Sequence, residues 1–265
     1  MQKIIDFHTH AFSDEFAPKA MKALTEHHPE IPYFLDSTIG SLLKSMDEVG
    51  IEKSVICSIA TKPKQFQTIL DWSLQIQSER IIPLASVHPQ DPQRDEHLKM
   101  IADAGIKGIK MHPYYQDFYL DEDSMMNLYE QLCKNDLLIV MHTGYDIAFE
   151  HVRRADPSRI IKVTKKFPEL KFVSTHFGAW QQWQEVESEM IGKNIYMEIS
   201  FALEYLDSKT AKQLLEKHPS DYILFGTDSP WTDQKKTLEM LKKLNLTPEL
   251  MQKILCTNAH RLLSF

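Results

Sequence analysis

A chain of 265 residues, 43% hydrophobic and 25% charged, has the length of one large α/β domain and enough apolar side chains for a sizeable core. Its formal charge of −7 excludes the basic face that a nucleic-acid partner needs. No apolar run approaches the roughly 20 residues of a membrane span, so no membrane partner is expected.

Short β-branched runs and helical periods alternate along the chain. The first run, 3–8, leads into His8-Thr9-His10. A long insertion, 11–36, separates it from a helical period at 38–50 that stops at Gly50. Runs at 53–59 and 81–87 follow, the latter ending in His88-Pro89, then a helical period at 96–105. The run 106–111 ends in Lys110-Met111-His112-Pro113, and helical residues 123–136 lead to the run 137–142, which ends in His142. A helical period at 158–167 precedes the run 171–176, ending in His176. Helical residues 180–192 precede the run 194–199, which carries Glu198. Helical residues 208–218, with Asp207 as their start signal, precede the run 221–226, which leads to Gly226-Thr227-Asp228. Helical stretches 233–243 and 248–263, the second opened by Thr247-Pro248, close the chain.

Eight strands, each buried on both faces and mostly followed by a helix, specify a single-domain α/β chain over 1–265, a closed parallel (β/α)8 barrel with the 11–36 insertion over its mouth. An open doubly wound sheet is the alternative. No glycine-rich phosphate loop occurs, and the chain has only eight glycines, which disfavours the nucleotide-binding version of that sheet. Three cysteines, Cys57, Cys133 and Cys256, are odd in number and lack metal-type spacing. With no signal-peptide pattern at the N-terminus, they point to a cytoplasmic protein, a homo-oligomer being open.

Active sites of parallel barrels gather at the C-terminal ends of the strands. Six of the twelve histidines stand at such ends. Side chains on a strand repeat with period two, so His8 and His10 share a side, and neighbouring imidazoles suit a shared divalent cation. Asp6 has the same parity and reads either as a carboxylate fixing an imidazole tautomer or as a polar core contact. His88-Pro89 either lines the same rim or marks a turn set by its proline, the second being the favoured reading, and Trp180 and Trp183 read as packing residues. His27, His28, His97, His151, His218 and His260 read as surface or capping residues.

The ordered set IDFHTH, GIKMHP, VMHTG, STHFG, FGTDSPW and CTNAHRLL resembles the amidohydrolase-related family, which includes aminocarboxymuconate semialdehyde decarboxylase and resorcylate-type decarboxylases as well as hydrolases. The resemblance spans essentially the whole chain. It implies a divalent metal, expected to be one zinc ion, held by His8, His10, His142 and Asp228, with His176 as acid/base beside it. Three imidazoles and one carboxylate with an open position for water suit such a catalytic ion, and Asp228 is suited to take the water's proton. Lys110 has three readings: a carboxylated bridge between two metals, an ammonium anchor for an anionic substrate, or a charge paired with a carboxylate such as Glu198. His112 and Trp231 are candidate substrate contacts. The implied reaction is hydrolysis of a small amide, ester or lactone. Non-oxidative decarboxylation of an aromatic or unsaturated acid is the alternative on the same residues. The opening DFHTHAFSDEF also resembles polymerase-and-histidinol-phosphatase enzymes, and the His-x-His start resembles TatD-type nucleases. FGTDSPW does not belong to the first, and Lys110 replaces the glutamate of the second.

Overall fold

In the computed structural model residues 3–26 and 31–264 are described, which leaves His27 and His28 outside the described residues. Every β-branched run contains a strand: β1 (Ile5–Thr9), β2 (Lys53–Cys57), β3 (Ile81–Leu84), β4 (Gly108–Met111), β5 (Leu138–Met141), β6 (Phe172–Ser174), β7 (Tyr196–Glu198) and β8 (Ile223–Leu224). All are buried over nearly their whole length, as strands covered on both faces must be. Helices at Ile39–Val49, Arg94–Asp103, Asp123–Lys134, Pro157–Lys166, Ser208–Lys217 and Gln234–Lys243 occupy the helical periods. No helix among the described residues is long and apolar enough to cross a membrane.

The expected end signals act as caps. Asp207 accepts hydrogen bonds from Lys209 and Thr210 N–H, and Thr247 from Leu250 N–H. Gly50 adopts φ 81°, a left-handed conformation that ends its helix cheaply only without a side chain. Two helices lie where no helical period was read, at Ala17–Thr25 inside the insertion and at Phe66–Ile76 between β2 and β3.

The chain forms two compact units: Met1–Ile56, Ser78–Ile82 and Glu198–Phe265 make the first, and Cys57–Gln77 with Pro83–Met197 the second. In the first, β1 pairs parallel with β2, Ile5 opposite Lys53 and Asp6 opposite Ser54. On its other side β1 meets the segment continuing from β8: Phe7 N–H donates to Phe225 O at 2.8 Å, and Asp228 N–H to His8 O at 2.7 Å. Ile5, Phe7, Leu42, Met46, Val55, Leu214, Leu241 and Ile254 are its buried apolar residues. In the second, β4, β5, β6 and β7 run parallel in that order. Bonds from Ala85 N–H to Gly108 O and from Lys110 N–H to Ala85 O attach the chain after β3 to β4.

The described residues of the insertion, 11–26 and 31–36, belong to the first unit. Phe12 N–H donates to Ser37 O and closes its base, and Phe34 N–H donates to Pro230 O in the loop after Asp228.

Candidate metal centre and buried histidine cluster

In the first unit the His-x-His segment and the loop after β8 bring three donor atoms together. His8 Nε2 lies 3.1 Å from His10 Nε2 and 3.4 Å from Asp228 Oδ1, and His10 Nε2 lies 3.0 Å from the same oxygen. Donors bound about 2.1 Å from one ion at tetrahedral angles stand roughly 3.4 Å apart, so this triangle has the size of a metal-binding face. Its tautomer supports the same reading. His8 Nδ1 lies 3.0 Å from Glu198 Oε1, a carboxylate oxygen, so Nδ1 carries a proton and Nε2, facing Asp228, is the nitrogen left to hold an ion. Lone pairs and a carboxylate at this spacing repel unless a cation or protons lie between them. The three residues fit a divalent ion.

Asp228 adopts φ 62°, a backbone conformation costing a non-glycine residue on the order of 1 kcal/mol. Its N–H on His8 O and its carbonyl under Trp231 N–H hold it there. Asp6 lies beneath, fully buried, accepting from His8 N–H, Thr227 N–H, Thr227 Oγ1 and Gln234 Nε2. Burial pushes its carboxyl up to about 7 against the lowering effect of those donors. Asp6 thus ties β1 to the loop after β8 through the backbone. The tautomer role open to it from the sequence belongs to Glu198.

The second unit holds a separate buried group. The His112 and His142 rings stack at 3.9 Å, and Asp146 Oδ2 lies 3.2 Å from His112 Nε2 and 3.5 Å from His142 Nε2. His142 Nε2 also meets Tyr145 O at 3.1 Å, and its Nδ1 meets His176 Nε2 at 3.1 Å. These spacings admit a cation, yet protons satisfy them: His112 donates to Asp146, His142 to Tyr145 O, and His176 to His142 Nδ1. Burial, with His112, His176 and Lys110 nearby, holds His142 well below the usual histidine range against the pull of Asp146, so the ring is neutral at neutral pH.

Among the sequence candidates, His8, His10 and Asp228 therefore stand together in the first unit, with Trp231 half-buried on the loop after Asp228. His142, His176, His112 and Lys110 stand together in the second, Lys110 only 1% exposed. Asp146 was not legible, because nothing in VMHTGYD marks a carboxylate four residues past a strand-end histidine. Trp183 does more than pack: its Nε1 donates to His176 O, and His176 sits at φ 55°. His88 is the turn residue expected, accepting Gln90 N–H. His97 is neither a surface nor a capping residue, whereas His218 stands at the C-cap of the helix Ser208–Lys217, its N–H on Leu214 O. His97 stacks on Phe66 at 3.6 Å and pairs with Asp91, and His218 is buried.

The amidohydrolase family model matches residues 5–265. The chain belongs to the amidohydrolase family. A search of curated proteins finds no match. Among solved structures, the amidohydrolase is similar to an uncharacterized TIM-barrel protein from Bordetella bronchiseptica, at TM-score 0.79 and 21% identity, covering 99% of this chain and 98% of the other. It is also similar to a dihydroxybenzoic acid decarboxylase from Polaromonas with bound manganese and the inhibitor 2-nitroresorcinol, at TM-score 0.73 and 15% identity, covering 100% and 97%. A third is a probable 2-pyrone-4,6-dicarboxylic acid hydrolase from Acinetobacter baumannii with citric acid bound, at TM-score 0.69 and 17% identity, covering 100% of both chains. At these identities the likeness is one of fold. The amidohydrolase is a (β/α)8 protein of the TIM-barrel type.

Proposed function

We propose that this amidohydrolase is a one-domain, metal-dependent hydrolase of a small anionic molecule carrying an amide, ester or lactone. The observation that carries the reading is the triangle of His8 Nε2, His10 Nε2 and Asp228 Oδ1 with His8 locked in the tautomer that turns a lone pair into it. The donor set of imidazoles and a carboxylate suits zinc. When bound, such an ion supplies Lewis-acid polarisation and makes bound water acidic near neutral pH. The sequence motifs imply His142 as a further ligand, and Nδ1 of its neutral ring, which faces His176, is the nitrogen left to that part once Nε2 donates to Tyr145 O. Asp228 serves as the acceptor of the water's proton. His176, whose Nε2 faces His142 Nδ1, serves as the acid/base. Lys110, buried beside His142, anchors the substrate anion as an ammonium, with His112 on the same strand side. Trp231 contributes an apolar wall. The cytoplasm is the proposed compartment.

A second reading, decarboxylation of an aromatic acid, is favoured by the likeness to the dihydroxybenzoic acid decarboxylase and by the aromatic edge at His112, where Tyr115 lies 4.6 Å away and Phe149 packs on Tyr115 at 4.9 Å. The test is to reload chelator-stripped protein with Zn2+ or Mn2+ and offer small lactones, amides, esters and hydroxylated aromatic acids. Hydrolysis without CO2, read as proton release from esters and lactones and as free amine from amides, and lost in Asp228→Asn, is the expected result. CO2 release would select the second reading. Turnover indifferent to chelator and to Asp228→Asn would refute both.

A further inference from the structure

Glu198 is fully buried, although burying a carboxylate is costly unless donors surround it. Three lie on it: His8 Nδ1 at 3.0 Å and Ser200 Oγ at 2.8 Å on Oε1, and Ser200 N–H at 2.7 Å on Oε2. Ser200 Oγ also lies 3.1 Å from His8 Nδ1, so the hydroxyl and carboxylate form one small cluster around that ring nitrogen. The residue facing the cluster is Gly226. A Cβ built there would overlap Glu198 Oε2 and sit 3.1 Å from His8 Cβ, so the position excludes a side chain for reasons of space.

From this geometry we infer that Glu198 is a positioning residue for metal binding: it holds the His8 Nδ1 proton, aims the Nε2 lone pair at the ion, and through its charge makes that nitrogen a better donor. The inference rests on the metal-dependent reading above. A carboxylate behind a ligating imidazole fixes ring orientation and ligand basicity, and its loss typically weakens metal affinity about 10- to 100-fold. A carboxylate serving only to fill the core would stabilise the fold without affecting affinity.

The test is a titration of the chelator-stripped full chain with Mn2+ alone, reading free ion by electron paramagnetic resonance, beside the melting temperature of each metal-free variant. Glu198→Gln keeps an acceptor but loses the charge. Its amide NH2 must face one of the donors, so it should melt below wild type without metal, and while folded it should bind Mn2+ about 10- to 100-fold more weakly. Gly226→Ala, which crowds the same carboxylate, should weaken binding in the same direction, and Glu198→Ala should be weakest of the three. If the alanine variant fails to fold, the glutamine and Gly226 variants carry the test. Wild-type affinity in Glu198→Gln, with binding still lost in His8→Asn, would overturn this inference alone. Failure of the wild-type protein to bind Mn2+ or Zn2+ would overturn it together with the metal-dependent reading.

Discussion

The role proposed for Lys110 is to anchor a substrate anion. Its side chain is 1% exposed, and its charge is among those that depress the His142 titration. An amine reacts with CO2 only when neutral, so the anchor proposed for Lys110 needs its ammonium form and a carboxylated bridge does not. Lys110→Met is therefore expected to raise KM for an anionic substrate roughly 10- to 100-fold, the worth of a charged hydrogen bond, and to leave metal content unchanged. Metal analysis of the purified variant beside its kinetics checks this, and loss of metal would assign Lys110 to the ligand set. The neighbouring histidines show how finely role depends on surroundings. His8 is committed by Glu198 to one tautomer, while the tautomer of His142 is set by Tyr145 O, which accepts from its Nε2 and leaves Nδ1 to His176.

Elements in this chain end where hydrogen bonding is diverted. β8 keeps only Ile223 and Leu224 in the ladder, because Phe225 N–H turns to Ile254 O at 2.9 Å. Ile254 lies in the π-helical stretch Lys253–Thr257, and the helical period read as continuous over 248–263 opens there. The period at 180–192 likewise shortens to Trp183–Glu185 followed by a π-helical turn, Val186–Met190. The helix Pro157–Lys166 is fastened at Asp121, on which Arg159 and Lys162 converge, Lys162 Nζ at 2.8 Å. Burial would raise the Asp121 carboxyl, but the two cations outweigh it and hold it below the ordinary range. A carboxylate depressed in the folded state adds stability above its unfolded pKa and loses it as pH falls through the folded value. Asp121→Asn is expected to lower stability near pH 7 by on the order of 1 kcal/mol, given the exposure of Lys162. The difference from wild type should close as pH falls below about 4. Urea melts at pH 7 and at pH 3 compare the two, and a gap undiminished at pH 3 would rule out the ion pairs as its source.

For the whole molecule, the donor triangle makes stability a function of metal. An ion that binds only the folded chain adds about 2.7 kcal/mol at one hundred times its Kd. At about 2–4 °C per kcal/mol for a chain of this size, roughly 5–10 °C in Tm should follow on adding Zn2+ to stripped protein. Asp228→Ala should abolish most of that shift. A thermal melt with and without chelator reads the effect, and an equal shift in Asp228→Ala would place the ion elsewhere.

Alternation of β-branched runs with helical periods is a local signal, and it was enough to locate all eight strands and to put His8, His10, His112, His142, His176 and Asp228 at or just past strand ends. Chain termini of helices were legible for the same reason, since Gly50, Asp207 and Thr247 act within one turn of themselves. Partners distant in sequence were not. Glu198 reaches His8 across 190 positions, Asp6 reaches Thr227 across 221, and Phe225 finds Ile254 outside its own strand. The helix Phe66–Ile76 escaped because it buries only Phe66, Leu70 and Ser73, too sparse a stripe to stand out. The residue types able to bind a metal were thus determined by the sequence. Which imidazole nitrogen bears the proton, and which carboxylate holds it there, depended on contacts that exist only once the strands have come together.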